Sequence, residues 1–85
     1  MSKLTTKEKK WFKKAQTVLD DCPSDRIAFY TIGDTNIVAY DVTKYEEISK
    51  IQDSGNIDFG RAVELAGACF SEDLTFNNPV ESTAG

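Results

Sequence analysis

Residues 26–42 read Arg26-Ile27-Ala28-Phe29-Tyr30-Thr31-Ile32-Gly33-Asp34-Thr35-Asn36-Ile37-Val38-Ala39-Tyr40-Asp41-Val42. Two runs of β-branched and aromatic residues flank Gly33-Asp34-Thr35, which supplies turn chemistry, so the stretch predicts a β-hairpin. Side chains alternate across a strand, which sets Ile27 and Phe29 against Ala28, Tyr30 and Ile32, and sets Val38, Tyr40 and Val42 against Ile37 and Ala39. Apolar groups fall on both faces. A hairpin alone is marginal in water, so other elements must cover it.

On the N-terminal side the period changes to that of a helix. Trp11, Phe12, Ala15, Val18, Leu19 and Cys22 recur at i, i+1, i+4, i+7, i+8 and i+11, one side of a helix with 3.6 residues per turn. Thr5 and Glu8 have capping-box spacing and Pro23 marks the end, which predicts a helix from about Thr6 to Asp21. Its stripe is expected to pack on the core, with Trp11 and Phe12 as anchors.

On the C-terminal side, Thr43 and Glu46 offer a second capping box, and Tyr45, Ile48 and Ile51 recur at helical spacing before Gly55. A short helix over about Lys44–Gln52 follows. Phe59, Ala62, Val63, Ala66, Cys69 and Phe70 then form a stripe that predicts a third helix over about Asp58–Phe70, the most buried of the three. Gly60, Ala62, Ala66, Gly67 and Ala68 keep it slim. Leu74 and Phe76 alternate with polar neighbours and offer a short edge strand or a cap on the core, and residues 77–85 read as a flexible tail. The expectation is a single α+β domain over residues 1–76, in the order α-β-β-α-α, with three helices packed on the hairpin and a short third strand near the C-terminus.

The 85 residues are 40% hydrophobic and 28% charged, a globular composition for one domain. No run of 18 apolar residues exists to span a membrane, and the lysine-rich start lacks a signal-peptide core, so a cytoplasmic protein is expected. Cys22 and Cys69 are too few for a disulfide framework or a zinc knuckle, and two small buried thiols are the expectation. The net charge of −4 is segregated. Residues 1–14 hold six lysines against Glu8, which is +5, and the rest holds four basic against thirteen acidic residues, which is −9.

Histidine is absent, which removes the commonest general base and metal ligand at neutral pH. No glycine-rich phosphate loop or calcium loop appears either. The acidic pairs Asp20-Asp21, Glu46-Glu47 and Glu72-Asp73 fall at helix ends or on outer faces, where solvated charge is the rule. A non-catalytic chain without cofactor or metal is therefore expected, and it works through surfaces.

Three surfaces qualify. Lys7, Lys10, Lys13 and Lys14 make a basic helix face, of the kind that contacts phosphates or of the kind that merely stays solvated, and the −9 remainder would repel a polyanion. The acidic remainder, with Asp34, Glu46 and Glu47 among its members, can occupy the basic groove of a nucleic-acid-handling protein. On the hairpin, Tyr30 and Tyr40 are rings of the type enriched at interfaces, or core residues packed on the helices. An uncovered hairpin face holding some of Ile32, Val38, Tyr40 and Val42 would favour a homodimer built on the hairpin and the first helix.

Trp11-Phe12-Lys13-Lys14, Phe29-Tyr30-Thr31-Ile32-Gly33-Asp34 and Ala39-Tyr40-Asp41 resemble in style the small accessory proteins encoded by bacteriophages and prophages. The resemblance spans residues 5–45 and carries no functional signature. It implies a small stoichiometric binder that inhibits a host nucleic-acid-handling or defence protein in the host cytoplasm. The alternative from the residues is a small nucleic-acid-binding protein that uses the lysine face.

Overall fold

A computed structural model describes residues 2–33 and 35–81 of the chain. The order is α1 (Thr6–Asp20), β1 (Ile27–Tyr30), β2 (Asn36–Asp41), a 3-10 turn (Val42–Lys44), α2 (Tyr45–Asp53), α3 (Phe59–Leu65) and β3 (Cys69–Thr75). The fold is mixed α+β, and the strand near the C-terminus is a full member of the sheet. β2 lies in the centre of an antiparallel sheet of order β1-β2-β3.

The hairpin forms where the sequence places it, in the register Ile27↔Asp41 to Tyr30↔Val38. β1 stops two residues early, and Ile32 stands outside the strand, 73% exposed. Gly33 takes φ 82° in the turn, a conformation open to glycine at no steric cost. Asp34 lies outside the described residues.

The core sits between the sheet and the pair α2–α3. Tyr40, Ile48, Ala62, Val63 and Ala68 are buried, with Tyr30, Val42 and Ile51 packed around them. Three rings lock strand to helix: Phe59 meets Tyr30 at 5.4 Å and Tyr40 at 5.2 Å between centroids, both edge-on, and the two tyrosines stand 5.9 Å apart. Edge-on contacts of this kind add to what burial alone supplies. Gly60 lies beside the rings, where a β-carbon would make ordinary contact, 3.4 Å from the Tyr30 hydroxyl.

Three expectations are corrected. α3 ends at Leu65, not Phe70: Gly67 adopts φ 68°, its N–H donates to the Glu64 carbonyl, and the Ala68 N–H donates to the Val63 carbonyl. That pair of bonds is a Schellman ending, with Ala68 as its buried apolar contact, and it frees Cys69 onward for β3. Thr43 does not cap α2; its N–H and hydroxyl both donate to the Asp41 carboxylate, which caps the 3-10 turn, and α2 starts with no side-chain cap. Both cysteines are exposed rather than buried: Cys22 follows α1, and Cys69 opens an edge strand.

β3 is irregular. Between the pairs Val38↔Asp73 and Tyr40↔Cys69, one residue of β2 lies opposite three of β3, and Ser71 there takes φ 59°. A bulge of this kind bends an edge strand and disrupts further pairing.

The fourth correction concerns α1. The helix forms over nearly its expected span, with a complete capping box in which the Thr5 N–H donates to Glu8 Oε1 at 2.7 Å and the Glu8 N–H donates to Thr5 Oγ1 at 3.1 Å. Yet no residue of it is buried. Trp11 is 57% exposed and Phe12 55%. The chain's dimensions agree: the radius of gyration is 16.0 Å, against roughly 12 Å for a compact domain of this length. Two helices pack on the sheet, and α1 stands apart with its apolar stripe uncovered.

Candidate interaction surface

The apolar stripe of α1 looks into an open groove of about 970 Å³. Leu4, Trp11, Phe12, Ala15, Val18 and Leu19 form one wall, and the end of β3 with the segment after it, from Leu74 to Asn78, forms the other. Leu74 and Phe76 are 45% and 44% exposed, so both walls offer apolar groups to water, interleaved with Glu8 on α1 and with Thr75, Asn77 and Asn78 on the other side. Trp11 and Phe12 stack edge-on at 5.0 Å and make one aromatic platform. Together the four large side chains Trp11, Phe12, Val18 and Leu19 leave roughly 450 Å² uncovered, as much as the largest patch of an ordinary monomer.

The lysines lie where the sequence puts them. Lys7, Lys10, Lys13 and Lys14 are exposed, and among the described residues no ion pair engages them. They occupy the sides and back of α1, away from the groove. Helix and charge are poorly matched within one chain: lysines crowd the positive end of the helix dipole, no basic residue stands in the last turn, and Asp20 and Asp21 sit at the negative end.

The other candidates are dispersed. Glu46 and Glu47 are exposed in the first turn of α2, where the dipole favours them. Tyr40 is 7% exposed and belongs to the core, and Tyr30 packs against it, so in the folded chain the rings serve packing. Burial raises the Tyr30 hydroxyl above its ordinary pKa, and Cys69, Glu64 and Asp58 push in the same direction. On the hairpin face expected to carry a dimer, Tyr40 is buried, Val42 packs against the core and Val38 is half-buried, while Ile32 is 73% exposed. Beside it, Tyr30, Thr31, Ile32 and Asp58 border a shallower recess of about 500 Å³.

Asp41 is the one buried charged residue among those described, at 7% exposure. The Thr43 hydroxyl, at 2.6 Å, is the main influence holding its pKa below the ordinary aspartate value; burial opposes it, and the Thr43 N–H and the Arg26 and Lys44 charges add to it. Arg26 Nη1 stands 3.4 Å from Asp41 and its guanidinium lies over the Phe70 ring at 4.9 Å. The cluster ties β1, β2 and β3 together and reads as structural. Among the described residues no group of three or more His, Cys, Asp and Glu stands ready to hold a metal ion, and no helix is long and apolar enough to cross a membrane.

The stripe on α1 is the sequence signal for the groove, and periodicity alone does not show that this stripe faces away from the core. No family model matches the chain, and comparison with curated proteins and with solved structures finds no match.

Proposed function

We propose that this chain is a non-catalytic protein-binding module of the phage-accessory type, an inhibitor of a host nucleic-acid-handling or defence protein. One observation carries the binding part: a helix with a complete capping box presents Trp11, Phe12, Val18 and Leu19 to water instead of to its own core. Exposed aromatic residues on a rigid element are the typical anchors of a protein interface. The non-catalytic part rests on a histidine-free sequence. The nature of the target rests on the charge: residues 15–85 carry −9 and offer carboxylates, Glu46 and Glu47 among them, to the cationic groove of a protein that otherwise holds phosphates.

The second reading, nucleic-acid binding through Lys7, Lys10, Lys13 and Lys14, draws on those exposed lysines, which no ion pair engages among the described residues. One experiment separates the two. The immobilised chain is incubated with nuclease-treated bacterial lysate and, separately, with DNA and RNA. A single host protein recovered in stoichiometric amount after nuclease treatment supports the inhibitor; retention of nucleic acid that falls steeply with salt supports the second reading.

A further inference from the structure

We propose that the apolar face of α1 pairs with α1 of a second copy of this chain, antiparallel about a two-fold axis at Ala15. This rests on the protein-binding reading of α1 and names a second copy as the occupant of its groove, which leaves the acidic surface with Glu46 and Glu47 to meet the host protein.

The pattern of the stripe is symmetric about Ala15: Trp11 and Leu19 stand four residues to either side, and Phe12 and Val18 three. At 3.6 residues per turn these four lie roughly 40° to 60° from the Ala15 direction, two on each flank. A two-fold operation that reverses the helix then brings Trp11 against Val18 of the other copy and Phe12 against its Leu19. Each large ring faces a smaller aliphatic chain. Ala15, the smallest side chain of the stripe, falls on the axis, where two helices must approach most closely.

Charge points the same way. The same operation sets Lys7, in the first turn, beside Asp21 of the other copy at its C-cap, on the same flank of the interface. It does so twice. The arrangement that opposes the helix dipole within one chain becomes complementary between two antiparallel chains, whose dipoles also oppose. Within one helix Lys7 and Asp21 lie about 21 Å apart along the axis and cannot pair.

The area is sufficient. Trp11, Phe12, Val18 and Leu19, with Leu4, Leu74 and Phe76 on the rims, expose roughly 700 Å² per chain, or about 1,400 Å² for a pair, within the range of specific interfaces. The groove between α1 and Leu74–Asn78 is where the second helix would lie.

The test is sedimentation equilibrium of the full chain with three variants, Ala15→Glu, Lys7→Glu and Asp21→Lys. Because α1 has no buried residue, all should keep the parent's circular dichroism. The parent should sediment at twice the 9.4 kDa chain mass. Ala15→Glu, which sets two carboxylates face to face on the axis, should weaken association at least about a hundredfold, and Lys7→Glu and Asp21→Lys about tenfold each. An equimolar mixture of the last two should recover the parent's affinity as a heterodimer, because each chain then supplies the charge that the other lacks. A parent that stays at 9.4 kDa at all concentrations overturns the proposal, as does a dimer indifferent to Ala15→Glu or a mixture no tighter than its components. A monomeric parent that still captures its host protein would leave the protein-binding reading standing while this one falls.

Discussion

Replacing Phe12 and replacing Ile48 by alanine should have opposite outcomes, although both sit on amphipathic helices. Ile48 is fully buried between α2, α3 and the sheet, so its truncation removes transfer energy and leaves a cavity, at a cost of about 2–5 kcal/mol. The whole domain is stable by roughly 4–13 kcal/mol at 0.05–0.15 kcal/mol per residue. With a urea m-value near 1 kcal/mol/M for so small a chain, the midpoint should fall by about 2 M or more. Phe12 is 55% exposed, which leaves it less than half of the roughly 2 kcal/mol of a buried ring, and alanine recovers about 0.5 kcal/mol in helix propensity. Phe12→Ala should therefore cost under about 1 kcal/mol. Urea unfolding followed by near-ultraviolet dichroism of the tyrosines, at a concentration too low for association, measures both. Equal losses would refute the reasoning, because they would mean that α1 is packed into the same cooperative core.

Gly67→Ala should destabilise by about 1 kcal/mol, since the Schellman ending of α3 holds that residue at φ 68°, and thermal unfolding would show it. Asp41 has a lowered pKa in the folded chain, so its contribution is complete above the ordinary aspartate range and is lost as pH falls through the lowered value; acid titration of stability should show a loss that Asp41→Asn lacks. The Tyr30 hydroxyl has a raised pKa, so its contribution is complete below the ordinary tyrosine value near 10 and is lost as pH rises through the raised one; Tyr30→Phe should flatten that alkaline decline. Changing Lys7, Lys10 and Lys14 together to Gln should leave the unfolding midpoint of the dilute chain within about 0.5 kcal/mol of the parent, because exposed charges contribute little.

The parts of the fold legible in the sequence are those whose signal is local. Alternation and the Gly33 turn mark the hairpin, and the Thr5–Glu8 box marks the start of α1. Elsewhere two local signals compete. The apolar stripe from Phe59 runs on through Cys69 and Phe70, so periodicity extends α3 past the glycine that ends it, and β3 then begins five residues before Leu74. Thr43 has capping-box spacing to Glu46, but Asp41, two residues earlier, accepts both its N–H and its hydroxyl. The largest gap is of another kind. Amphipathicity says that a face of α1 must be covered and is silent on whether the cover comes from the same chain. For that reason Trp11 and Phe12 read as core anchors, and for the same reason the lysines and the acidic groups of α2 were legible as surfaces while the groove beside Leu74 was not.

Trp11 is the only tryptophan of the chain and stands on the apolar face of α1, so its emission reports directly on what covers that face. Recorded from high dilution upward, it should start at the wavelength of a solvent-exposed indole and shift to the blue as concentration rises and the second helix fills the groove. Ala15→Glu should stay red throughout. An emission already blue at the lowest concentration and unmoved by dilution would place Trp11 against its own chain and contradict the account.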